Sequence, residues 1–381
     1  MQRRRRVTTL LLPLVLLLAG CWDRREIDER SNVLATGADL CEKGQGCNLI
    51  VTRQIAIPGR IPLGGATGAP AKGESVVAFS TPGKNGPDTA RKAQAELNRT
   101  VSFAHTRFIA FSEAFARQGL REYLDYVRRV PEVRRLMWIT ITEGKASDVL
   151  RSKPSLELVP ALYVNDMIDD AVKAGRLPDI YLGEFLTRIS NKGEDTVAPI
   201  IRMIGLDHPA LAGLAVFRDF KMVGKLTPDE MFTQMQLRGH RKGAESFEVA
   251  LPGGNSANIR VYERTARYRL SQNQGRLTCR IQVRLETEVL QLSPELSGED
   301  PKVLADIERR GAEEVVKRAN ALMKKLQQEY QADILGVGEH VRGTMPKYWK
   351  TVSEDWSKAF AKTQFQVEAE VHIRRTGLGT E

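Results

Sequence analysis

Residues 278–292 read TCRIQVRLETEVLQL, and their period decides the fold of the C-terminal half. Cys279, Ile281, Val283 and Leu285 alternate with Arg280, Gln282, Arg284 and Glu286. Successive side chains of a strand point to opposite faces, so this period gives one buried face and one wet face. Working outward, Ile259 to Leu270 is a second long strand, joined to the first by Gln272-Asn273-Gln274-Gly275. Phe365 to Ile373 alternates in the same way. Between them, Pro301 to Tyr330 carries Leu304, Ile307, Gly311, Val315, Leu322, Leu326 and Tyr330 near helical spacing. The other faces of that helix bear charges of both signs, which suits a helix packed on a sheet and speaks against one seeking lipid. Three antiparallel strands under a long helix are therefore expected.

Further toward the N-terminus the pattern changes. Strand-like runs at 32–38, 48–57, 75–80, 106–111 and 136–142 alternate with helical stretches. One opens at Asp88 as its cap, and another runs from Ser112 to about Arg129. Residues 156–188 form two helical pieces broken around Gly175 to Pro178, and Val197 to Ile204 is a strand. Such alternation points to a mixed α/β sheet with helices packed on it. Pro209 and two glycines in Leu206 to Gly213 suggest a boundary, dividing an N-terminal domain, 21–205, from a C-terminal one, 206–381. The second opens with strands Gly213–Phe217 and Lys221–Leu226, and Thr227-Pro228-Asp229-Glu230 then caps a helix. The expected class is α+β: a mixed α/β region followed by an antiparallel sheet packed with a long helix.

The first 21 residues, MQRRRRVTTLLLPLVLLLAGC, have a basic start at Arg3 to Arg6 and an apolar run from Leu10 to Leu18. This is a secretory signal rather than a membrane span. Leu18-Ala19-Gly20-Cys21 fits the lipobox of bacterial lipoproteins, with cleavage between Gly20 and Cys21 and lipidation of the Cys21 thiol. A plain secretory signal with an incidental cysteine is the blander reading. Residues 1–20 would then be removed, and two or more acyl chains, at about 0.8 kcal/mol per buried CH₂, would hold the body to a membrane.

The formal charge of +10 falls to +6 without residues 1–20, which contain four arginines and no acid. A modest excess suits a neighbour of an anionic leaflet. No basic cluster interleaved with aromatics follows Arg6, so nucleic acid is not an expected partner. Cys41 and Cys47 flank the turn EKGQG, where either a disulfide or two free thiols would fit an extracytoplasmic location. The five histidines stand singly, so no zinc pattern and no cofactor are expected.

Pro58 to Gly73 is a Gly-, Pro- and Ala-rich loop. Its Gly64-Gly65-Ala66-Thr67-Gly68 lacks the lysine and hydroxyl of a phosphate-binding loop. No nucleophile elbow, zinc-protease helix or dinucleotide fingerprint occurs. The acid pairs Asp169-Asp170 and Glu313-Glu314 lie on charged helices, where adjacent side chains diverge by about 100° and form no dyad. No catalytic residues are expected.

Four stretches resemble the Ger(x)C family, the C subunits of bacterial spore germinant receptors. They are Cys21-Trp22-Asp23-Arg24-Arg25-Glu26-Ile27 with Val33 to Asp39, and Gly213 to Phe217 with Val223 to Leu226. The others are Ala332-Asp333-Ile334-Leu335-Gly336-Val337-Gly338 with Pro346 to Trp349 and Trp356, and Val367 to Gly377. The resemblance implies a non-enzymatic lipoprotein on the outer face of the spore inner membrane. It implies integral-membrane A-type and B-type receptor subunits as partners, and a need for this subunit in responding to nutrient germinants. It carries over Cys21 for lipidation and places Trp22 to Glu26 next to the membrane. A solute-binding lipoprotein that delivers a small molecule to a membrane transporter is the competing reading. It calls for two similar lobes around a cleft.

Overall fold

The computed structural model describes residues 30–57, 60, 74–273 and 275–375. The expected signal, Gly20, Cys21 and all of loop 58–73 except Arg60 lie outside the described residues. Among those described, nine strands make the first sheet. They are β1 (Arg30–Leu40), β2 (Leu49–Ala56), β3 (Val76–Gly83), β4 (Thr100–Ser102), β5 (Phe108–Ser112), β6 (Trp138–Thr142), β7 (Thr196–Ile204), β8 (His208–Arg218) and β9 (Lys221–Leu226). Their order is β3-β2-β1-β5-β6-β7-β8-β9, with β4 beside the start of β1. The central strands β1, β5, β6 and β7 are parallel, and antiparallel strands flank them. Every residue of β5 (FIAFS) and β6 (WITIT) is buried. Both faces must then be covered, which explains runs that are apolar and β-branched without alternation.

The covering helices are α1 (Gly86–Glu96), α2 (Glu113–Gln118), α3 (Arg121–Arg129), α4 (Ala146–Arg151), α5 (Pro160–Lys173) and α6 (Leu182–Ile189). Adjacent β2 residues show the two faces. Arg53 reaches Thr89 of α1, whereas Gln54 donates to Leu150 O of α4 and accepts from Ala161 N–H of α5.

Two local expectations change. Asn85, not Asp88, caps α1, its Oδ1 accepting the Asp88 N–H at 2.9 Å. Asp88 serves the first turn instead, pairing with Arg91 and Lys92. The single helix expected over 112–129 is two, because Gly119 at φ 130° turns the chain and lets Leu120 N–H reach Phe220 O at 2.9 Å.

Pairing also continues through the boundary expected at 205/206. Gly205, at φ 65°, makes a tight turn, and β7 and β8 pair from Ile204–His208 to Thr196–Phe217. The first sheet therefore closes at Leu226, and α7 (Pro228–Arg238) follows with a full capping box between Thr227 and Glu230.

The second sheet has β10 (Ser246–Ala250), β11 (Ser256–Asn273), β12 (Arg276–Leu292) and β13 (Gln364–Arg375), in that order. The fold is α+β. β10, β11 and β12 are antiparallel, but β13 runs parallel to β12, correcting the expectation of three antiparallel strands. The reason is the intervening chain. α8 (Pro301–Lys325) crosses the sheet, and α9 (Val337–Thr344), α10 (Pro346–Val352) and α11 (Trp356–Lys362) return the chain to the end where β12 began. Parallel strands need such a crossover. α8 packs with Ile307, Gly311, Val315, Ala319 and Leu322 buried, while Arg260, Arg280 and Arg284 stand on the sheet's exposed face.

Candidate functional site

The residues singled out by sequence do not converge. Cys41 and Cys47 face each other across the β1–β2 turn, Cα atoms 5.8 Å apart, while Cys41 N–H donates to Asn48 O at 3.1 Å. Asp169 accepts the Trp138 indole N–H at 2.9 Å, and the neighbouring Asp170 pairs with Lys173 in solvent. Glu313 and Glu314 are taken by Arg309 and Arg318. Cys279 is fully buried, and burial pushes its thiol up to about 12. No cluster suited to a metal ion occurs among the described residues.

What the fold does assemble is a polar joint between the two sheets, centred on Asp333. The end of α8 widens into a π-turn, Leu326–Tyr330, and Gln331 at φ 49° redirects the chain. Asp333 follows, with no exposed surface. Its Oδ1 accepts the N–H groups of Leu335 (3.2 Å), Gly336 (2.9 Å) and Val337 (3.1 Å). Its Oδ2 accepts Gly338 N–H (2.8 Å) and the Trp356 indole N–H (2.9 Å). Two of these donors, Val337 and Gly338, open α9 and Gly336 is its N-cap, so the carboxylate also meets the positive end of the helix dipole.

The same residue bonds across to the first sheet. Asp195, just before β7, donates its N–H to Asp333 O at 2.9 Å and accepts Asp333 N–H on Oδ2 at 2.8 Å. Gly193 and Gly338 let the two loops touch: a Cβ on Gly338 would lie 2.5 Å from Gly193 O. Glu194 adds a charged tie. It pairs with Arg238 of α7 at 2.7 Å and Arg188 of α6 at 3.4 Å, and Arg238 also donates to Ile334 O at 2.9 Å.

Burial pushes the Asp333 carboxyl up, and its backbone and indole donors pull it back. Burial and the adjacent Asp333 carboxylate push Asp195 up to about 8, although the Asp333 N–H opposes this. Five donors saturate the oxygens of Asp333, so a proton there would displace a hydrogen bond. Among the described residues the Asp195 carboxyl accepts only the Asp333 N–H, so Asp195 is the member of the pair that takes up a proton.

Two further ties flank this centre. Arg264 of β11 is fully buried against Glu245 at 3.3 Å, and donates to Gly175 O at 2.8 Å beyond the end of α5 and to His240 O at 2.9 Å. Tyr330 lies over Gly224 of β9, where a Cβ would come within 2.1 Å of its ring. Its hydroxyl donates to Lys225 O at 2.9 Å and accepts Lys225 N–H at 3.2 Å. The sequence marked 332–338 and 223–226 only as family stretches. A readable signal was present: an aspartate followed by glycines at the third and fifth positions lets several backbone N–H groups converge on its carboxylate.

Fold and joint together define a class: a two-sheet α+β body whose dissimilar halves are locked by buried polar ties. The chain belongs to the spore germination proteins of the GerAC type. Residues 23–203 match the family model described as the spore germination protein N-terminal domain, and 212–377 match the "spore germination B3/ GerAC like, C-terminal" model. Spore germination protein KC of Bacillus subtilis (strain 168) is 26% identical, over 99% of this chain and 97% of its own length. Spore germination protein GerQC of Bacillus cereus is 23% identical, over 97% and 98%. A crystal structure of the GerBC protein shares the fold, with a TM-score of 0.61 at 17% identity, covering 92% of this chain and 100% of that one.

Proposed function

We propose that this chain is the lipid-anchored, non-enzymatic C subunit of a spore germinant receptor, required for the response to nutrient germinants. The observation that carries the reading is the lipobox Leu18-Ala19-Gly20-Cys21 standing directly before two spore germination domains, 23–203 and 212–377. Cleavage after Gly20 would leave Cys21 as the lipidated first residue, on the extracytoplasmic face of the spore inner membrane. Among the described residues no helix is long and apolar enough to cross a membrane, in keeping with a body held from outside. The partners are integral-membrane subunits of the A and B types. Cys41 and Cys47 form a disulfide in that compartment. The domain division follows the family models, even though β8 and β9 join the first sheet.

A joint made of carboxylates saturated by backbone donors is suited to holding shape, and supports a binding or assembly role over catalysis. Two unlike sheets, nine strands against four among the described residues, weigh against a two-lobed solute carrier.

Replacing Cys21 with alanine in sporulating cells tests the proposal. Loss of the protein from the spore membrane fraction together with loss of nutrient germination is expected. Retention in the membrane would refute the lipid anchor. Normal germination in spores that lack the protein altogether would refute the receptor role.

A further inference from the structure

The start of β1 limits how the body can sit on a membrane. Nine residue steps separate Arg30 from Cys21. An extended chain covers at most ~3.5 Å per residue, so Arg30 lies within roughly 30 Å of the anchor. β1, β5 and β6 are parallel neighbours; β5 and β6 begin level with Ala35, so their starts lie at the end of the first sheet from which β1 enters, with Arg30 five residues further out beside β4. Arg107 stands at this rim immediately before β5. Its N–H donates to Leu34 O at 2.8 Å, and its carbonyl accepts Trp138 N–H at 2.9 Å. Arg134 and Arg135 precede β6, where Arg135 O accepts Gly183 N–H at 2.9 Å.

The side chains of Arg107, Arg134 and Arg135 are exposed, and no ion pair or side-chain hydrogen bond engages them among the described residues. Nearby arginines behave differently: Arg128 and Arg129 of α3 are neutralised by Asp125 at 3.0 and 2.9 Å. Glu132, on the same connection as Arg134, accepts Phe103 N–H at 3.2 Å and makes no ion pair with Arg107, Arg134 or Arg135, leaving three positive charges against its one. Leu136, adjoining the arginine pair, is 76% exposed. A single exposed leucine is ordinary; here it tips a cationic rim on the side where the chain departs toward its anchor. The second sheet also displays arginines: Arg280 meets Glu368 at 3.4 Å and Arg284 meets Glu286 at 3.1 Å, while the exposed Arg267 and Arg269 have no ion pair among the described residues; no chain leaves that sheet toward the anchor.

We infer that Arg107, Arg134, Arg135 and Leu136 form a membrane-docking rim that binds the anionic phospholipid headgroups of the leaflet holding the anchor. The inference rests on the lipid-anchored reading above. Guanidinium groups take phosphate oxygens in pairs, and Leu136 enters the acyl boundary between them. Each basic residue at an anionic surface strengthens partition about fivefold, so the three arginines together supply roughly a hundredfold. Docking by this rim would fix the orientation of the body and leave the opposite rim, with Leu206, facing away from the bilayer.

The test uses the full-length lipidated protein in vesicles, with a fluorophore on Leu136→Cys or, as a control, on Leu206→Cys, which is 88% exposed past the far end of β7. Cys279 is buried and Cys41 and Cys47 are paired, so the added thiol takes the label. In vesicles containing phosphatidylglycerol and headgroup-quencher lipid, strong quenching is expected at 136 and none at 206. Replacing the three arginines by glutamate, or by the less disruptive glutamine, should abolish it while the protein still floats with the vesicles. So should exchanging the phosphatidylglycerol for phosphatidylcholine while the quencher lipid is kept. Equal signals at 136 and 206, or quenching at 136 indifferent to the arginines, would overturn the docking rim alone. A protein that fails to float would overturn the anchor, and the rim with it. A rim that serves a protein partner would leave residue 136 unquenched in lipid alone, which also overturns the inference.

Discussion

Asp195 and His240 give the joint opposite responses to pH. Asp195 is pushed up to about 8 from an ordinary value of 3.8, so across that interval the folded chain holds a proton that the unfolded chain has released. Stability then falls as pH rises. His240, buried near Arg238, Arg264 and Arg188, is lowered from 6.5 to about 4. Between those values the unfolded chain binds the extra proton, so stability rises with pH. The two slopes offset each other below pH 6.5, and only that of Asp195 remains from there to about 8. Melting temperature should therefore drop over that upper interval, by about 2–4 °C for one proton in a body of this size. Asp195→Asn keeps an oxygen acceptor for Asp333 N–H and should flatten the drop. Thermal melts at several pH values decide it: a slope that persists unchanged in the asparagine variant would place the proton elsewhere.

At the scale of elements, β9 and the end of α8 form one packed unit. Tyr330 reaches β9 because the π-turn at 326–330 rotates it over Gly224, and its hydroxyl satisfies both backbone groups of Lys225. Tyr330→Phe should cost about 1–2 kcal/mol in chemical denaturation by leaving the Lys225 N–H without its acceptor, while Lys325 Nζ still donates to Lys225 O at 3.1 Å. Gly224→Val should cost more, since its side chain must displace the ring, and a loss below that of Tyr330→Phe would refute the packing argument. Much of this level is legible in the sequence. Alternation marks β11 and β12, and Thr227 to Glu230 announces the start of α7. What escapes is set by partners distant along the chain. β13 alternates like an antiparallel strand, yet its direction is dictated by the helices before it. β8 reads as the opening of a new domain, yet a two-sided turn at Gly205 keeps it in the old sheet. Asp333 lies in a recognisable motif, but its role depends on Asp195, 138 positions away.

Over the whole molecule, the joint makes two unlike sheets respond as one. The apolar core is continuous across them, but apolar packing alone tolerates sliding, whereas the bonds from 193–195 to 333–338 fix relative position. In the proposed role as an anchored receptor subunit, that rigidity would keep the joint from absorbing displacement between the membrane and a partner. Asp333→Asn tests the point at constant volume. It puts an amide N–H₂ among five donors that need an acceptor, and should destabilise by about 3–5 kcal/mol, the scale of breaking a buried charged network. The loss falls on the joint rather than on either sheet. Unfolding should therefore split, with the fluorescence change of Trp349 and Trp356 beside the joint coming before the far-ultraviolet loss of secondary structure. The parent chain should show coincident transitions, the mark of a single cooperative unit. If the asparagine variant unfolds in one coincident step, Asp333 stabilises the body generally and the sheets are coupled by their shared apolar core instead.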